Sequence, residues 1–91
     1  MNNNVHTGGK IYKIVDMAYT EQYIGSTVIE LSARMAKHRA KYREHMKTRT
    51  SFHSSSVLFD KYGVESCRIE LLELYPCESR EELKRRAGYW I

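Results

Sequence analysis

Apolar and polar residues change rhythm along the chain, and the changes mark six elements. Gly9 to Asp16 (GKIYKIVD) is rich in Ile, Val and Tyr and predicts a strand. Residues 17–20 (MAYT) read as a short turn, and Glu21 to Ser26 (EQYIGS) as a second strand, so the pair predicts a hairpin. Thr27, with Glu30 three residues on, has the form of a capping box opening a helix that runs to about His45. That segment holds no Gly or Pro, and Leu31, Ala33, Met35, Ala36 and Ala40 give it an apolar face of mostly small residues. A polar break follows from Thr48 to Ser51. His53 to Tyr62 predicts a short helix, with Val57, Leu58 and Phe59 apolar and Gly63 as its stop. Cys67 to Tyr75 (CRIELLELY) is the most apolar strand candidate, and Pro76 ends it. Ser79 or Glu78 opens a last helix, whose first turn holds Glu81 and Glu82, where the helix dipole favours acids. Leu83, Ala87, Trp90 and Ile91 share one side of it. The order β-β-α-α-β-α predicts an α/β mix of the α+β kind: a small three-stranded antiparallel sheet flanked by three helices. Residues 9–91 would form one domain, after a flexible N-terminal extension of residues 1–8.

The length of 91 residues allows one modest core, and 42% apolar with 29% charged residues describes a folded chain rather than a disordered one. No apolar run approaches the roughly 20 residues that a membrane helix needs. Met1 to Gly9 is polar, without the apolar core of a signal peptide, so an intracellular location is expected. Cys67 and Cys77 form no CxxC pair and read as two reduced thiols. His6, His45 and His53 read as surface histidines.

Charge changes the picture more than composition does. Arg34, Lys37, Arg39, Lys41, Arg43, Lys47 and Arg49 face a single acid, Glu44, whereas Glu65 to Glu82 is dominated by acids. A basic stripe confined to one helix and its following loop fits a polyanion, although such runs are often only solvated faces. Lys37, Lys41, Lys47 and Arg49 are the candidate nucleic-acid contacts within it.

Tyr12 and Tyr23 lie on the two strands of the expected hairpin. They stand side by side if both point to one face, and otherwise merely cover the sheet. On the next helix Arg34 and His38 are four residues apart and share a face, with Tyr42 continuing the stripe. An arginine there could meet a phosphate whose charge grows in a transition state, and an imidazole could relay a proton. Tyr12, Tyr23, Arg34, His38 and Tyr42 are therefore the candidate catalytic residues.

The segments GKIYKI, QYIGST, RMAKH, FDKYG, CRIELLEL and ELKRRAGYWI, in this order, resemble the GIY-YIG nuclease domain. The wording is nearest the phage and virus homing-endonuclease-like branch, with Lys10 standing where the first motif has its naming glycine. The resemblance covers residues 9–91. It implies a DNA endonuclease that hydrolyses phosphodiesters with one divalent ion, Mg²⁺ or Mn²⁺. By it, Tyr12 and Tyr23 correspond to the paired tyrosines, one of which activates water. Tyr12 is the favoured base; since a free phenol titrates near 10, a nearby cation must help it. Arg34 corresponds to the phosphate clamp and His38 to the histidine that assists proton transfer. The family also often continues into a further DNA-binding region. DNA is the implied partner, with the number of copies, one, two or four, left open.

One position departs from the family. Its glutamate metal ligand stands three residues before a Trp-Ile ending, where this chain reads Arg86-Ala87-Gly88-Tyr89-Trp90-Ile91. Ala87 is either a packed helix residue near Leu83 or a ligand position without its carboxylate. Tyr89-Trp90-Ile91 sets the register and favours the second. The chain as written is then expected to be inactive, whether by natural loss or by a substitution. The alternative is a non-catalytic DNA- or RNA-binding module that uses the basic helix of residues 28–45.

Overall fold

The structure is a computed structural model and describes residues 8–48 and 54–91. Its elements are β1 (Lys10–Asp16), β2 (Gln22–Thr27), α1 (Leu31–Thr48), α2 (Ser54–Tyr62), a 3-10 turn (Val64–Ser66), β3 (Cys67–Leu74) and α3 (Arg80–Trp90). The strands form one antiparallel sheet in the order β2-β1-β3, so the expected α+β fold is present. His6, Arg49, His53 and the side chain of His45 lie outside what is described.

The central strand explains the layering. Ile11, Tyr12, Ile14 and Val15 are all at most 1% exposed, so β1 is sealed on both faces. Tyr12 and Ile14 point to one side and pack with Met35 of α1, Leu58 and Phe59 of α2, and Cys67. Ile11 points to the other and packs with Cys77 and with Leu83 and Ala87 of α3. Burying a side chain of this size is worth on the order of 1.5–3 kcal/mol, so each face is a core in its own right. The two cysteines are free thiols, one in each cluster. Opposite Ile11 and Tyr12 the β3 register slips by one residue, from Glu73 to Leu71, which leaves Leu72 as a bulge.

Asp16 closes the hairpin. Its buried carboxylate accepts the backbone N–H groups of Ala18 (3.2 Å), Thr20 (2.8 Å) and Glu21 (2.8 Å) while Tyr19 takes φ 56°. Burial is the largest single influence on this carboxyl and pushes it upward. The N–H groups together outweigh it and hold the carboxyl below its ordinary value.

Three helix expectations need correction. Thr27 ends β2 rather than capping α1; its hydroxyl accepts the N–H of Ile29 (3.3 Å), and the helix opens four residues later, with Arg34 N–H on the Glu30 carbonyl (2.9 Å). The inward stripe of α1 is Leu31, Met35, His38 and Tyr42, a 3.6-residue period, whereas Ala33, Ala36 and Ala40 face solvent. In α3 only Leu83 and Ala87 are buried; Trp90 and Ile91 are exposed.

α1 also runs to Thr48, past its expected end near His45, and the rest of the expected polar break lies outside the described residues; the stop of α2 and the cap of α3 agree with the sequence. Gly63 stops α2 at φ 90° with its N–H on the Phe59 carbonyl (2.9 Å). Ser79 caps α3 by accepting the Glu82 N–H (3.2 Å), and the Glu82 carboxylate accepts the N–H of Glu78 (3.1 Å) in return. Glu73 of β3 ties this helix down, accepting two bonds from Arg86 (2.6 and 3.0 Å) and one from the Trp90 indole (3.0 Å). No described helix is long and apolar enough to cross a membrane.

Candidate functional site

The hairpin register sets the geometry of the two tyrosines. Tyr12 pairs with Gly25 and Ile14 with Tyr23, so both tyrosines stand on the α1 side, diagonally across the ladder, with ring centroids 6.5 Å apart. The Tyr12 ring lies flat across the backbone of its partner. A Cβ at position 25 would stand 2.5 Å from the Tyr12 hydroxyl and 2.6 Å from its Cζ, closer than any side chain tolerates. Glycine is thus required in Tyr23-Ile24-Gly25 by the neighbouring phenol rather than by the strand.

α1 then brings a base and a cation to that phenol. The Tyr12 hydroxyl is 2.7 Å from His38 Nε2 and accepts the Nε–H of Arg34 at 3.2 Å. The His38 ring stands edge-on to both tyrosines, with centroids 5.8 Å from Tyr12 and 5.6 Å from Tyr23. In the tautomer that leaves Nε2 unprotonated, the phenol donates to the imidazole while the guanidinium donates to the phenol, which polarises one O–H from both sides. Burial pushes the Tyr12 phenol above its ordinary value; Arg34 draws it down by hydrogen bond and charge, and Tyr23 adds slightly to the rise. At neutral pH the group is a neutral phenol with an imidazole nitrogen at contact distance.

These residues open onto a cavity of about 560 Å³ around the edge strand β2, of a size that admits a small ligand or a nucleotide. One wall carries Tyr12, Tyr23, Arg34 and Lys37; the other is α3, with Arg80, Leu83, Lys84, Ala87 and Gly88. Ala87 is both a packed residue and a wall residue: it belongs to the cluster of Ile11, Cys77 and Leu83, and it lines the cavity. The cavity lining has no Asp or Glu side chain, and among the described residues there is no group of three or more His, Cys, Asp or Glu able to hold a metal ion. Four basic side chains with no Asp or Glu among them do not fit a divalent cation, which takes oxygen ligands with compensating charge.

The sequence-stripe residues divide. Tyr12, Tyr23, Arg34 and His38 come together, with Lys37 beside them on the cavity wall. Tyr42 is one helical turn beyond His38. Its hydroxyl donates to Asp60 of α2 (2.8 Å) and its ring packs on Phe59 (5.4 Å), so it ties α1 to α2. Lys41 and Lys47 are exposed on α1. Compared with known proteins, the chain matches no family model, no curated protein and no solved structure. Sequence reasoning missed Arg80 and Lys84. They are four residues apart and so share a face of α3, a signal hidden by the acids around them, Glu78, Glu81 and Glu82.

Proposed function

We propose that the chain is a DNA nuclease-fold domain of the GIY-YIG type that binds DNA and is catalytically silent with alanine at position 87. The reading is carried by the Tyr12 hydroxyl, held 2.7 Å from His38 Nε2 and 3.2 Å from Arg34 Nε on the wall of a cavity that also contains Ala87. A phenol with a proton acceptor on one side and a guanidinium on the other is equipped to orient a water and to relay its proton. Arg34 is placed to pair with a phosphate that gains negative charge. A carboxylate side chain is the part the lining lacks: its basic residues do not fit a divalent ion, and this chain's groups would bind and orient a phosphodiester without completing hydrolysis.

The test is nicking of supercoiled plasmid with and without Mg²⁺ or Mn²⁺. The chain as written should leave the plasmid intact, and Ala87→Glu should cut it only with metal. Ala87→Gln, of the same size, controls for crowding near Leu83 and should fold like Ala87→Glu without cutting. Activity in the unaltered chain, or a folded but inert Ala87→Glu variant, would refute the reading of that position. A second reading, a non-catalytic nucleic-acid module, is favoured by the cationic lining itself. Adding Tyr12→Phe to Ala87→Glu separates the two: a nuclease loses its cleavage, whereas a binding module had none to lose.

A further inference from the structure

The basic residues of the cavity come from two helices on opposite faces of the sheet. Arg34 and Lys37 are on α1, Arg80 and Lys84 on α3, and the edge strand β2 runs between them. Arg34 donates to a neutral phenol, and Lys37, Arg80 and Lys84 form no ion pair among the described residues. Arg86 of the same helix differs. Arg86, two residues past Lys84, is neutralised by a two-pronged pair with Glu73 and stacked on the Tyr89 ring, 4.1 Å from its centroid. Of the two acids of the first turn, Glu82 closes the capping loop by accepting the Glu78 N–H. Like charges gathered around a concave surface raise the local potential and draw in an anion. Ser26 and Thr27 add hydroxyls to the same lining, and the tyrosines add aromatic surface.

We propose that this cavity is a metal-independent phosphodiester clamp, in which Arg80 and Lys84 of α3 grip DNA backbone opposite Arg34 and Lys37 of α1. It rests on the DNA-binding reading above and extends it to a second helix. The four cations supply the charge that a divalent ion would otherwise bring to the phosphate. Position 87 then gains a second meaning: a carboxylate there would subtract from the clamp whenever no metal is present.

The experiment is fluorescence anisotropy of a labelled DNA duplex in EDTA and in Mg²⁺, across a salt series, with amide NMR shifts for a short dinucleotide as a second probe. Binding should be equal in EDTA and Mg²⁺. Arg80→Ala with Lys84→Ala should flatten the slope of log K against log salt by about 2, near 0.9 for each phosphate that is no longer neutralised. Both side chains are exposed, so circular dichroism should be unchanged. Ala87→Glu should bind more weakly than the unaltered chain in EDTA. If the duplex binds but the double variant matches the unaltered chain, or binding requires Mg²⁺, the clamp is refuted and the DNA-binding reading stands. If no duplex binds, yet the dinucleotide shifts the amides of Ser26, Arg80 and Lys84 and the double variant abolishes those shifts, the DNA reading fails and the anion clamp stands. If neither probe binds, both fail.

Discussion

On the α1 side of β1 the buried space is held by a polar chain; on the α3 side it is held by hydrocarbon. Tyr12, His38 and Arg34 satisfy one another on the first face, inside a shell of Met35, Leu58 and Phe59. Ile11, Leu83, Cys77 and Ala87 fill the second with almost no polar atoms. Both arrangements exclude water, but only the first fixes a reactive group by directional bonds. A network of this kind is costly to disturb, because each member left alone keeps its desolvation penalty. The apolar face tolerates change of shape more readily and makes no demand on chemistry. A cavity that joins the two faces around β2 therefore has one wall with a directionally bonded phenol and one that supplies charge and contact only.

The contact of Tyr12 with Gly25 is where that comparison breaks most easily. Gly25→Ala would push a methyl into the phenol ring and force it off both His38 and Arg34. Overpacking and the loss of one buried and one part-buried hydrogen bond together should cost on the order of 3 kcal/mol or more. In a domain of this size that lowers the midpoint of thermal unfolding by roughly 10 °C or more. A midpoint unchanged by the substitution would mean that the ring does not lie over the strand.

Most of the fold was legible from the chain. Runs rich in Ile, Val, Leu and Tyr, the helical formers, Gly63, Pro76 and the Ser79 cap located the three strands and three helices, since each is a local signal, but not the 3-10 turn at Val64–Ser66. The start of α1 was not, because Thr27 and Glu30 satisfy the spacing of a capping box while Thr27 is still in the β2 ladder. The alanines misled for a related reason: small residues pack or face water equally well, and His38 and Tyr42 took the inward positions instead. In the site, Tyr12, Tyr23, Arg34 and His38 could be grouped because they fall on three consecutive elements, a hairpin and the helix that follows it. Arg80 and Lys84 could not, since they reach the cavity from the far face of the sheet, distant in sequence from α1, and no spacing rule spans that separation.

Tyr12→Phe sharpens the comparison without moving the ring. It leaves His38 and Arg34 short of one partner each at a buried site, which should cost roughly 1–3 kcal/mol. The pH dependence adds a signature. The native phenol titrates above its ordinary value, so its contribution is complete below about pH 10 and is lost as pH rises through the native value. Stability of the unaltered chain should fall in strong alkali, and the Phe variant should lack that part of the fall. Equal alkaline slopes in chemical denaturation would place the phenol in solvent.

The smallest effect is expected where α3 is tied to β3. Glu73 is held below its ordinary value, first by the hydrogen bonds of Arg86 and then by the Trp90 indole. A lowered carboxyl stabilises the fold above its unfolded value, near 4.3, and that stability disappears as pH falls through the native one. Glu73→Gln keeps the size and one acceptor but loses the charge. The unaltered chain should therefore exceed it modestly in urea midpoint at pH 7, and the gap should close on acidification below about pH 4. The group is near solvent, so salt should narrow the gap as well. If the gap were instead as large as that of Tyr12→Phe, the α3 face would depend on directional bonds as much as the α1 face does, and the contrast between them would fail.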